Sequence, residues 1–432
     1  IRDGQYAKNE AVPLQPELAA RLYTTNRQGQ VTNQLTASIS QLEKFYQNPY
    51  DYFLRYGLHL KKRDELEVSS DKSGTLNHDA LAFFVQSVID EPDLQLADLV
   101  KEEHQGRQAE LIDQAFEQAM NQQEELRELA ANNSQVNLQL QVAKQLITTM
   151  AKTLCLQATQ TDAQPVAVEK AFGQADWTGE SQAAELPALT FDLTGAGLGE
   201  GAKVSLRGRI DRLDELKLGE QTYQLVVDYK SYNKAFDLVD AYAGQALQML
   251  AYLNALQAAN PGEQLLGSLY LRLYVPTVDA GKEGTAEELK EHLYQGITIN
   301  DDAVLAALDH GLGEKGATLL SIKKKSKKDT SRFKVSADDQ FSAKAGSNLV
   351  SPTDLKRLMD HNAELIKEAA VQILQGQNEI RPYRRQVGTT AETGLAFSDF
   401  LDVSRFDQAL DDYKEIELTD ADVEAKFEQE EE

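Results

Sequence analysis

Two aspartates and a lysine near the middle of the chain have the types and spacing of a metal-dependent hydrolytic site. Asp211 lies in an alternating segment that begins at residue 204, and Asp228 and Lys230 end a second one that begins at residue 222. Because side chains on a strand alternate between two faces, Asp228 and Lys230 project to the same side. Carboxylates that share one hard cation, with a fixed positive charge beside them, suit phosphodiester hydrolysis.

The short polar sequence at residues 219–221 predicts a tight turn between these two segments. If the strands pair as neighbours, Asp211 and Asp228 converge on one Mg²⁺, which commonly takes one or two carboxylates together with water and phosphate. The alternative is a surface hairpin in which Asp228 and Lys230 only pair with each other, a contact worth roughly 0–1 kcal/mol. The Asp-x-Lys triplet alone is common and favours this second interpretation.

Periodicity along the rest of the chain predicts helices before a mixed sheet, with a crossover helix inside the sheet. The predicted helices cover residues 16–23, 40–54 with Ser40 as N-cap, 94–156, 241–259 and 351–375, and another opens at Gly74 and carries His78. The predicted strands cover residues 166–172, 188–193, 204–213, 222–229 and 265–275. The expected fold class is therefore α+β, an α/β core of mixed sheet flanked by helices, with a large helical N-terminal part.

Four short motifs follow one another in a fixed order around these residues. They are Gly-x-x-x-His ending at His78, Gly-x-x-Asp ending at Asp211, Asp-x-Lys ending at Lys230, and Gln-x-x-x-Tyr from Gln248 to Tyr252. This succession resembles the RecB-type branch of the PD-(D/E)XK nucleases. Residues 38–58 resemble the segment that opens the nuclease domain of AddB/RexB-type helicase–nuclease subunits, and the resemblance extends in pieces over residues 36–407.

The resemblance implies a restriction-endonuclease-like PD-(D/E)XK fold and assigns roles to individual residues. Metal ligation is implied for His78, Asp211, Asp228 and the backbone carbonyl of Tyr229, and catalysis for Asp211, Asp228, Lys230, Gln248 and Tyr252. Glu169 resembles the acidic position before the sheet, with either a structural role or one behind the metal ligands. For His78, Gln248 and Tyr252 the alternative is ordinary packing on a helix face.

The resemblance also implies a function, namely Mg²⁺-dependent exonucleolytic cleavage of single-stranded DNA, with Mn²⁺ as a substitute. It implies the 5′-ended strand as substrate, an AddA/RexA-like A subunit as the ATP-hydrolysing partner, and double-strand-break processing for homologous recombination at the nucleoid in a bacterial cytoplasm. Two alternatives stay open. One is a catalytically idle DNA-binding or scaffolding module with the nuclease fold, and the other is a stand-alone Cas4-like nuclease, which the length and the Ile1 start disfavour.

Many AddB proteins hold an iron–sulfur cluster through four cysteines, and this chain departs from that pattern. Asn48 stands at the first of these positions, and Leu395, Ser398 and Ser404 stand at the others. A cluster needs several thiolates, and Cys155 is the only cysteine, so we expect no iron–sulfur cluster. Packing is then expected to hold the N- and C-terminal segments together, through the following candidates: Tyr46, Tyr50, Phe53, Phe397, Phe400 and Phe406.

The resemblance, the start at Ile1 and a polar stretch over residues 30–36 together imply three parts in a fragment of a longer protein. Residues 1–36 are expected to be a linker from a preceding helicase-like region, residues 37–407 the nuclease domain, and residues 408–432 an acidic tail without structure. Within the domain we distinguish a helical part, 37–160, and a catalytic core with a closing segment, 161–407. No apolar run approaches the roughly 18 residues of a membrane span. The Gly-x-Gly-x-x-Gly string at residues 311–316 follows a helix, so we expect no bound nucleotide.

The net charge of −25 argues at first sight against a nucleic-acid partner, because phosphate neutralisation supplies most non-specific affinity for DNA. Binding nevertheless depends on how charge is distributed over the surface. One basic cluster is a candidate loop for contact with DNA or a protein partner, and a solvated run of charge is the alternative. It consists of Lys323, Lys324, Lys325, Lys327 and Lys328.

Overall fold

The structure is a computed structural model that describes residues 11–26, 29–62, 70–173, 186–276, 289–313, 318–325, 340–396 and 398–429, with only the backbone described for residues 70–73. Its helices are α1 Pro16–Tyr23, α2 Ile39–Gln47, α3 Pro49–Tyr52, α4 Ser70–Ile89, α5 Gln105–Gln122, α6 Glu124–Asn132, α7 Ser134–Ala158, α8 Leu238–Tyr242, α9 Gln248–Ala259, α10 Asp302–Leu308, α11 Pro352–Leu374, α12 Leu401–Ser404 and α13 Asp420–Gln429. A π-helical turn covers Phe53–Gly57, and short 3₁₀ helices cover Leu96–Val100, Glu102–His104 and Lys290–His292. Across these ranges, no helix is both long and apolar enough to span a bilayer.

The described strands form one large mixed sheet and two small sheets. They are β1 Gln34–Ser38, β2 Gln164–Phe172, β3 Leu189–Asp192, β4 Lys203–Leu218, β5 Gln221–Lys230, β6 Gln264–Arg272, β7 Gln295–Ile299, β8 Ile322–Lys324, β9 Phe341–Ala343, β10 Asn348–Val350, β11 Tyr383–Val387, β12 Thr390–Thr393 and β13 Lys414–Ile416. The large sheet has the order β1-β4-β5-β6-β7-β10, with β2 and β3 both pairing along β4. The mixed sheet and the α+β class expected from the sequence are confirmed.

Strands β4 and β5 form the predicted antiparallel hairpin. Their pairing runs from Leu218 opposite Gln221 to Arg212 opposite Val227, so two residues make the turn. Gly219 takes a φ of +62°, a left-handed conformation that glycine adopts without steric cost. Alternation along β4 then places Val204, Leu206 and Ile210 on one buried face and Asp211 on the other.

The N-terminal helices pack on one another and on the sheet. Helix α4 contacts α5, α7 and β2, and it buries Leu81, Phe84 and Val85. These apolar residues recur at helical spacing, which fixes the rotation of α4 about its axis. His78 lies one turn before Leu81 on the same helix, and this rotation turns it towards the sheet. The helix begins at Ser70, before the Gly74 start that the sequence predicted.

The predicted N-cap at Ser40 is wrong, because Ser38 caps α2. Ser38 Oγ accepts a hydrogen bond from Gln41 N at 3.3 Å, and Gln41 Oε1 accepts one from Ser38 N at 3.0 Å. These two reciprocal bonds satisfy two backbone N–H groups at the helix start, and Ser40 offers no such pair. Farther along, Asn48 caps α3, so the predicted helix 40–54 is broken at that residue.

The predicted crossover helix over residues 241–259 is also interrupted, between α8 and α9. Gly244 has a φ of +81°, and a Cβ atom there would lie 2.6 Å from the ring of Tyr46. A close approach by an aromatic ring and a left-handed backbone both end the helix at this point. Helix α9 therefore begins at Gln248, so this residue lies at a helix N-terminus.

The acidic tail is structured between residues 414 and 429, so the expectation of disorder is wrong for this stretch. Strand β13 pairs with β11, and α13 buries Val423 and Phe427. The ring of Phe427 meets those of Tyr242 and His361 edge to face, each at 5.5 Å. Two apolar residues four apart in an acidic helix supply a packing face that overall charge conceals.

Part of the predicted linker is built into the fold. Strand β1 pairs in parallel with β4, from Gln34 opposite Lys203 to Ser38 opposite Arg207. Helix α1 packs beside α11, and Leu14 N donates to Gly376 O at 2.9 Å. The large sheet thus begins before residue 37, while the division into domains stays a prediction.

Charged groups make the contact between the opening segment and the closing segment. Arg55 forms an ion pair with Asp399 and lies 5.5 Å from the ring centroid of Phe400. At the position of the first absent cysteine, buried Asn48 donates to Asp51 Oδ1 at 3.2 Å, and Asp51 Oδ2 lies 3.8 Å from Lys44 Nζ.

The predicted aromatic candidates act mostly within their own segments. Tyr50 packs on Phe53 at 5.9 Å, and Phe406 packs on Tyr413 at 4.8 Å. Tyr46 and Phe400 are exceptions, because Lys414 Nζ lies 5.2 Å from the Tyr46 ring centroid and Arg55 lies over the Phe400 ring. Phe397 lies outside the described residues. Cys155 is buried in α7.

A buried ion pair occupies the apolar side of the hairpin. Arg212 Nε lies 2.9 Å from Asp214 Oδ1, and the guanidinium also donates to Tyr229 Oη at 3.2 Å and Tyr294 Oη at 3.0 Å. Tyr294 in turn donates to Gln157 Oε1 on α7 at 2.9 Å. These bonds connect β4, β5, Tyr294 just before β7 and helix α7 through the Arg212 guanidinium.

We expect Asp214→Asn to destabilise the fold strongly, because it leaves the buried Arg212 charge without a counter-ion. Removing one partner of a buried pair costs about 3–5 kcal/mol. Urea unfolding followed by circular dichroism measures the effect. Asp360→Ala removes the exposed pair with Lys356 and is the matched control, expected to leave the midpoint unchanged. Equal midpoints for Asp214→Asn and the control would contradict the assignment.

Candidate metal centre and catalytic site

The hairpin brings Asp211 and Asp228 together at the end of the β4–β5 ladder. The last pair is Arg212 opposite Val227, so Asp211 and Asp228 face each other one step farther on. Asp211 Oδ2 accepts a hydrogen bond from Tyr229 N at 2.8 Å, which ties the side chain to the neighbouring strand. The convergence predicted from alternation is therefore present.

His78 reaches the same point from α4. Its Nδ1 lies 3.4 Å from Asp211 Oδ2, and its ring meets the Tyr229 ring edge to face at 6.0 Å. Burial lowers the pKa of His78, but the hydrogen bond to Asp211 and the charges of Asp211 and Asp228 outweigh it, so the pKa lies above its ordinary value. The imidazole stands beside two carboxylates and has a polar partner rather than a purely packing role.

Asp228 is the most buried acidic group of the site, with 1% of its side chain exposed. Burial and the charge of Asp211 raise the pKa of Asp228 to about 7, against the lowering effect of Lys230. Lys230 forms an ion pair with Asp228 Oδ2. Burial lowers the pKa of Lys230, but Asp228 raises it by more, so the ammonium stays charged at neutral pH. The pair is thus held together away from water, unlike an exposed surface pair.

Gln248 and Tyr252 lie on one face of α9 beside Lys230. Lys230 Nζ donates to Gln248 Oε1 at 3.1 Å, and Gln248 Nε2 donates to Tyr252 Oη at 2.7 Å. Burial, with the charges of Asp228 and Asp211 next, raises the pKa of Tyr252. The three side chains form a chain of hydrogen bonds that ends on the lysine, and their catalytic roles stay predictions.

Glu169 lies on β2 at a position of irregular backbone. Its φ is +50°, and the β2–β4 pairing continues on both sides of it, at Val168 and Lys170. Glu169 Oε2 lies 3.3 Å from an Arg209 nitrogen. Burial, followed by the charge of Asp211, raises the pKa of Glu169 to about 7. A left-handed conformation at a non-glycine residue turns this carboxyl group towards the site.

These donors fit a divalent cation that is completed by substrate and water. Asp228 Oδ1 is buried and accepts no hydrogen bond from the described residues, as expected for an oxygen that a cation would engage. Two carboxylates, an imidazole and the nearby Tyr229 carbonyl match the ligand set implied by the resemblance. Within the described ranges no group of three or more His, Cys, Asp or Glu side chains is arranged to hold a metal ion by itself, so water and substrate phosphate would have to complete the coordination of a cation bound by Asp211 and Asp228.

Glu43 is a residue of this site that sequence reasoning missed. Its Oε1 accepts hydrogen bonds from Leu247 N at 2.7 Å and Gln248 N at 3.1 Å, at the start of α9. Burial raises the pKa of Glu43, against the backbone bonds and the charges of Lys234 and Lys230. The residue stands in the opening segment 38–58, but only the fold shows that this segment meets α9.

The basic cluster is only partly described. Lys323 and Lys324 lie in β8, which pairs with β9 in a sheet separate from the one that carries the candidate site. The loop expected there is therefore a strand up to Lys324, and Lys325 follows it with its backbone N donating to Gln340 O. Lys327 and Lys328 lie outside the described residues, and a DNA contact of the cluster stays a prediction.

We expect Glu43→Ala to lower stability by about 1 kcal/mol, since it removes the acceptor of two N–H groups at a helix start. Glu43→Gln keeps an oxygen acceptor and is expected to lose less. Thermal unfolding measures both, with Glu117→Ala on the exposed face of α5 as the matched control.

The sign of a pH effect follows from the raised pKa of Glu43. The folded state keeps its proton at a pH where the unfolded state has lost it, so stability falls as pH rises from the ordinary to the raised value. Glu43→Gln removes this dependence. Its stability relative to the wild type should improve as pH rises above about 4, the ordinary pKa of glutamate, and a difference that does not change with pH would contradict the assignment.

Comparison with known proteins agrees with this geometry. Residues 36–389 match the family described as the PD-(D/E)XK nuclease superfamily. The chain is 40% identical over 426 residues to the B subunit of an ATP-dependent helicase/deoxyribonuclease from Limosilactobacillus reuteri, covering 95% of this chain and 32% of the relative. It is 32% identical over 419 residues to the corresponding protein of Lactiplantibacillus plantarum, which has the same name, covering 93% and 31%. The chain thus spans about a third of the length of these relatives. By its family match and its fold, the chain belongs to the PD-(D/E)XK nuclease superfamily.

Proposed function

We propose that this chain is the nuclease part of a helicase–nuclease B subunit and hydrolyses single-stranded DNA with Mg²⁺. The observation that carries the proposal is the buried Asp228, paired with Lys230 and facing Asp211 and His78. A like-charged pair of carboxylates is costly when buried, and a divalent cation bound between them would offset that cost. The superfamily match supports phosphodiester hydrolysis as the reaction.

His78, Asp211, Asp228 and the Tyr229 carbonyl would hold the cation, and the carboxylate and carbonyl oxygens make Mn²⁺ an acceptable substitute for Mg²⁺. Bound there, it would supply a Lewis acid for the scissile phosphate and lower the pKa of water. Water attacks phosphorus in line, and the P–O3′ bond breaks to leave a 5′ phosphate and a 3′ hydroxyl.

Lys230 carries the positive charge that offsets charge developing on the phosphate. Its ammonium is held from two sides, by Asp228 and by Gln248, so its position is set before substrate arrives. Tyr252 fixes the Gln248 amide through the bond to its hydroxyl. Such preorganisation avoids the cost of reorienting the group in the transition state.

The partners and setting follow from the relatives. Their name is that of the B subunit of an ATP-dependent helicase/deoxyribonuclease, so we propose that a helicase A subunit delivers an unwound strand to this site. The 5′-ended strand, double-strand-break processing and a cytoplasmic, nucleoid-associated location belong to the same proposal. A catalytically idle scaffold is the second candidate, and the complete set of Asp211, Asp228 and Lys230 disfavours it.

We expect this chain to degrade end-labelled single-stranded DNA in the presence of Mg²⁺, with the label position reporting polarity. Asp228→Ala and Lys230→Ala should each lower the initial rate by at least about 10²-fold. Lys217→Ala removes an exposed positive charge from β4. It is the matched control and should retain the rate. Full activity of Asp228→Ala would reject the site. A chain that is inactive alone and with its helicase partner would favour the scaffold.

Metal binding has a readout that needs no DNA. Mg²⁺ should raise the unfolding temperature of the wild type, because a ligand at 100 times its Kd stabilises by about 2.7 kcal/mol. Lys230→Ala should keep this rise and Asp228→Ala should lose it. An equal rise in all three proteins would place the cation elsewhere.

A further inference from the structure

A polar groove lies along the edge of the large sheet, on the face of β4 that carries Asp211. It is walled on one side by residues 23–26, between α1 and β1, and it encloses about 600 Å³. Its floor consists of paired residues from three strands. Thr36 of β1 and Thr190 of β3 both lie opposite Ser205 of β4.

The groove and the candidate site share one strand and one face. Lys203, Ser205 and Arg207 line the groove and alternate along β4, and the same alternation leads through Arg209 to Asp211. At about 3.3 Å per residue, Arg207 lies roughly 13 Å along the strand from Asp211. The groove therefore opens in line with the hairpin that holds the carboxylates.

The charge of the groove contrasts with that of the chain. The chain carries 69 acidic residues against 44 basic ones, yet this face of β4 presents three cations before Asp211. Among the described residues, Glu169 pairs with Arg209, and Asp192 lies opposite Lys203 with its Oδ1 accepting from Thr194 N at 2.8 Å. A positive track with hydroxyl groups on both sides fits a phosphodiester backbone.

An exposed sheet face is usually polar, and polarity alone does not indicate a ligand. Two features distinguish this one. The wall at residues 23–26 converts the face into a groove, with Thr24 and Thr32 hydroxyl groups anchored on each other's backbone carbonyls. The cations also stand in a row that ends at the candidate site rather than being scattered over the surface.

We propose that this groove binds the backbone of single-stranded DNA and directs the strand to Asp211 and Asp228. The inference rests on the proposed function and adds the path of the substrate to it. Lys203 and Arg207 contact phosphates in this arrangement, and the hydroxyl groups of the floor supply sequence-independent hydrogen bonds.

The test measures binding and chemistry separately. In an Asp228→Asn background, which blocks cleavage, fluorescence anisotropy with a labelled oligothymidylate reports binding across a salt series. Lys203→Ala/Arg207→Ala should weaken binding about tenfold and reduce the salt slope by about 1.4, since each phosphate contact on a single strand contributes about 0.7. Lys203→Arg/Arg207→Lys keeps both charges and should bind like its parent. Lys217→Ala, on the same strand beyond Asp211, should also bind like its parent.

The second measurement uses bis(p-nitrophenyl) phosphate, a substrate too small to span the groove, in an otherwise wild-type chain. Lys203→Ala/Arg207→Ala should hydrolyse it at the wild-type rate while losing rate on the oligonucleotide. Unchanged oligonucleotide binding would contradict the proposed role of the groove, and it would leave the proposal for the nuclease site unaffected. Failure of the wild type itself to hydrolyse the small diester would count against the proposed function, whatever the binding result. Circular dichroism of each variant confirms that the fold is retained.

Discussion

The antiparallel register of β4 and β5 is the constraint on which the rest of the candidate site depends. A shift by one residue would send Asp228 to the buried side of the sheet and Tyr229 to the site. The two-residue turn at Gly219 holds the register at one end of the hairpin. At the other end, the hydrogen bond from Tyr229 N to Asp211 Oδ2 binds the strands where ladder pairing stops. Asp211 thus has a structural bond as well as a place beside the cation site.

Buried charge is compensated in different ways on the two faces of this hairpin. On one face Arg212 and Asp214 neutralise each other, and two tyrosine hydroxyl groups complete the guanidinium's hydrogen bonds. On the other face Asp211, Asp228 and Glu169 lie close together, and burial with the charge of Asp211 raises the pKa values of Asp228 and Glu169 to about 7. The Arg212–Asp214 pair is neutralised within the protein. The carboxylates on the other face carry negative charge that a bound divalent cation would compensate.

Elements distant in sequence set the position of Lys230. Glu43 on α2 caps the start of α9, α9 presents Gln248, and Gln248 accepts a hydrogen bond from Lys230. Asp228 holds the ammonium from the other side. The position of the lysine therefore depends on the packing of the opening segment against α9.

The sequence by itself determined strands β2 to β6, the hairpin and the shared face of Asp211, Asp228 and Lys230, because strand alternation and a glycine turn act over a few residues. The four-residue spacing of Gln248 and Tyr252 likewise placed them on one helix face. Only the tertiary structure decided that Glu43 caps α9, that Tyr46 against Gly244 divides a predicted helix, and that Phe427 orders the acidic tail. Each of these depends on two segments far apart in the chain coming together, and no local pattern of residues specifies which distant surface a side chain will meet.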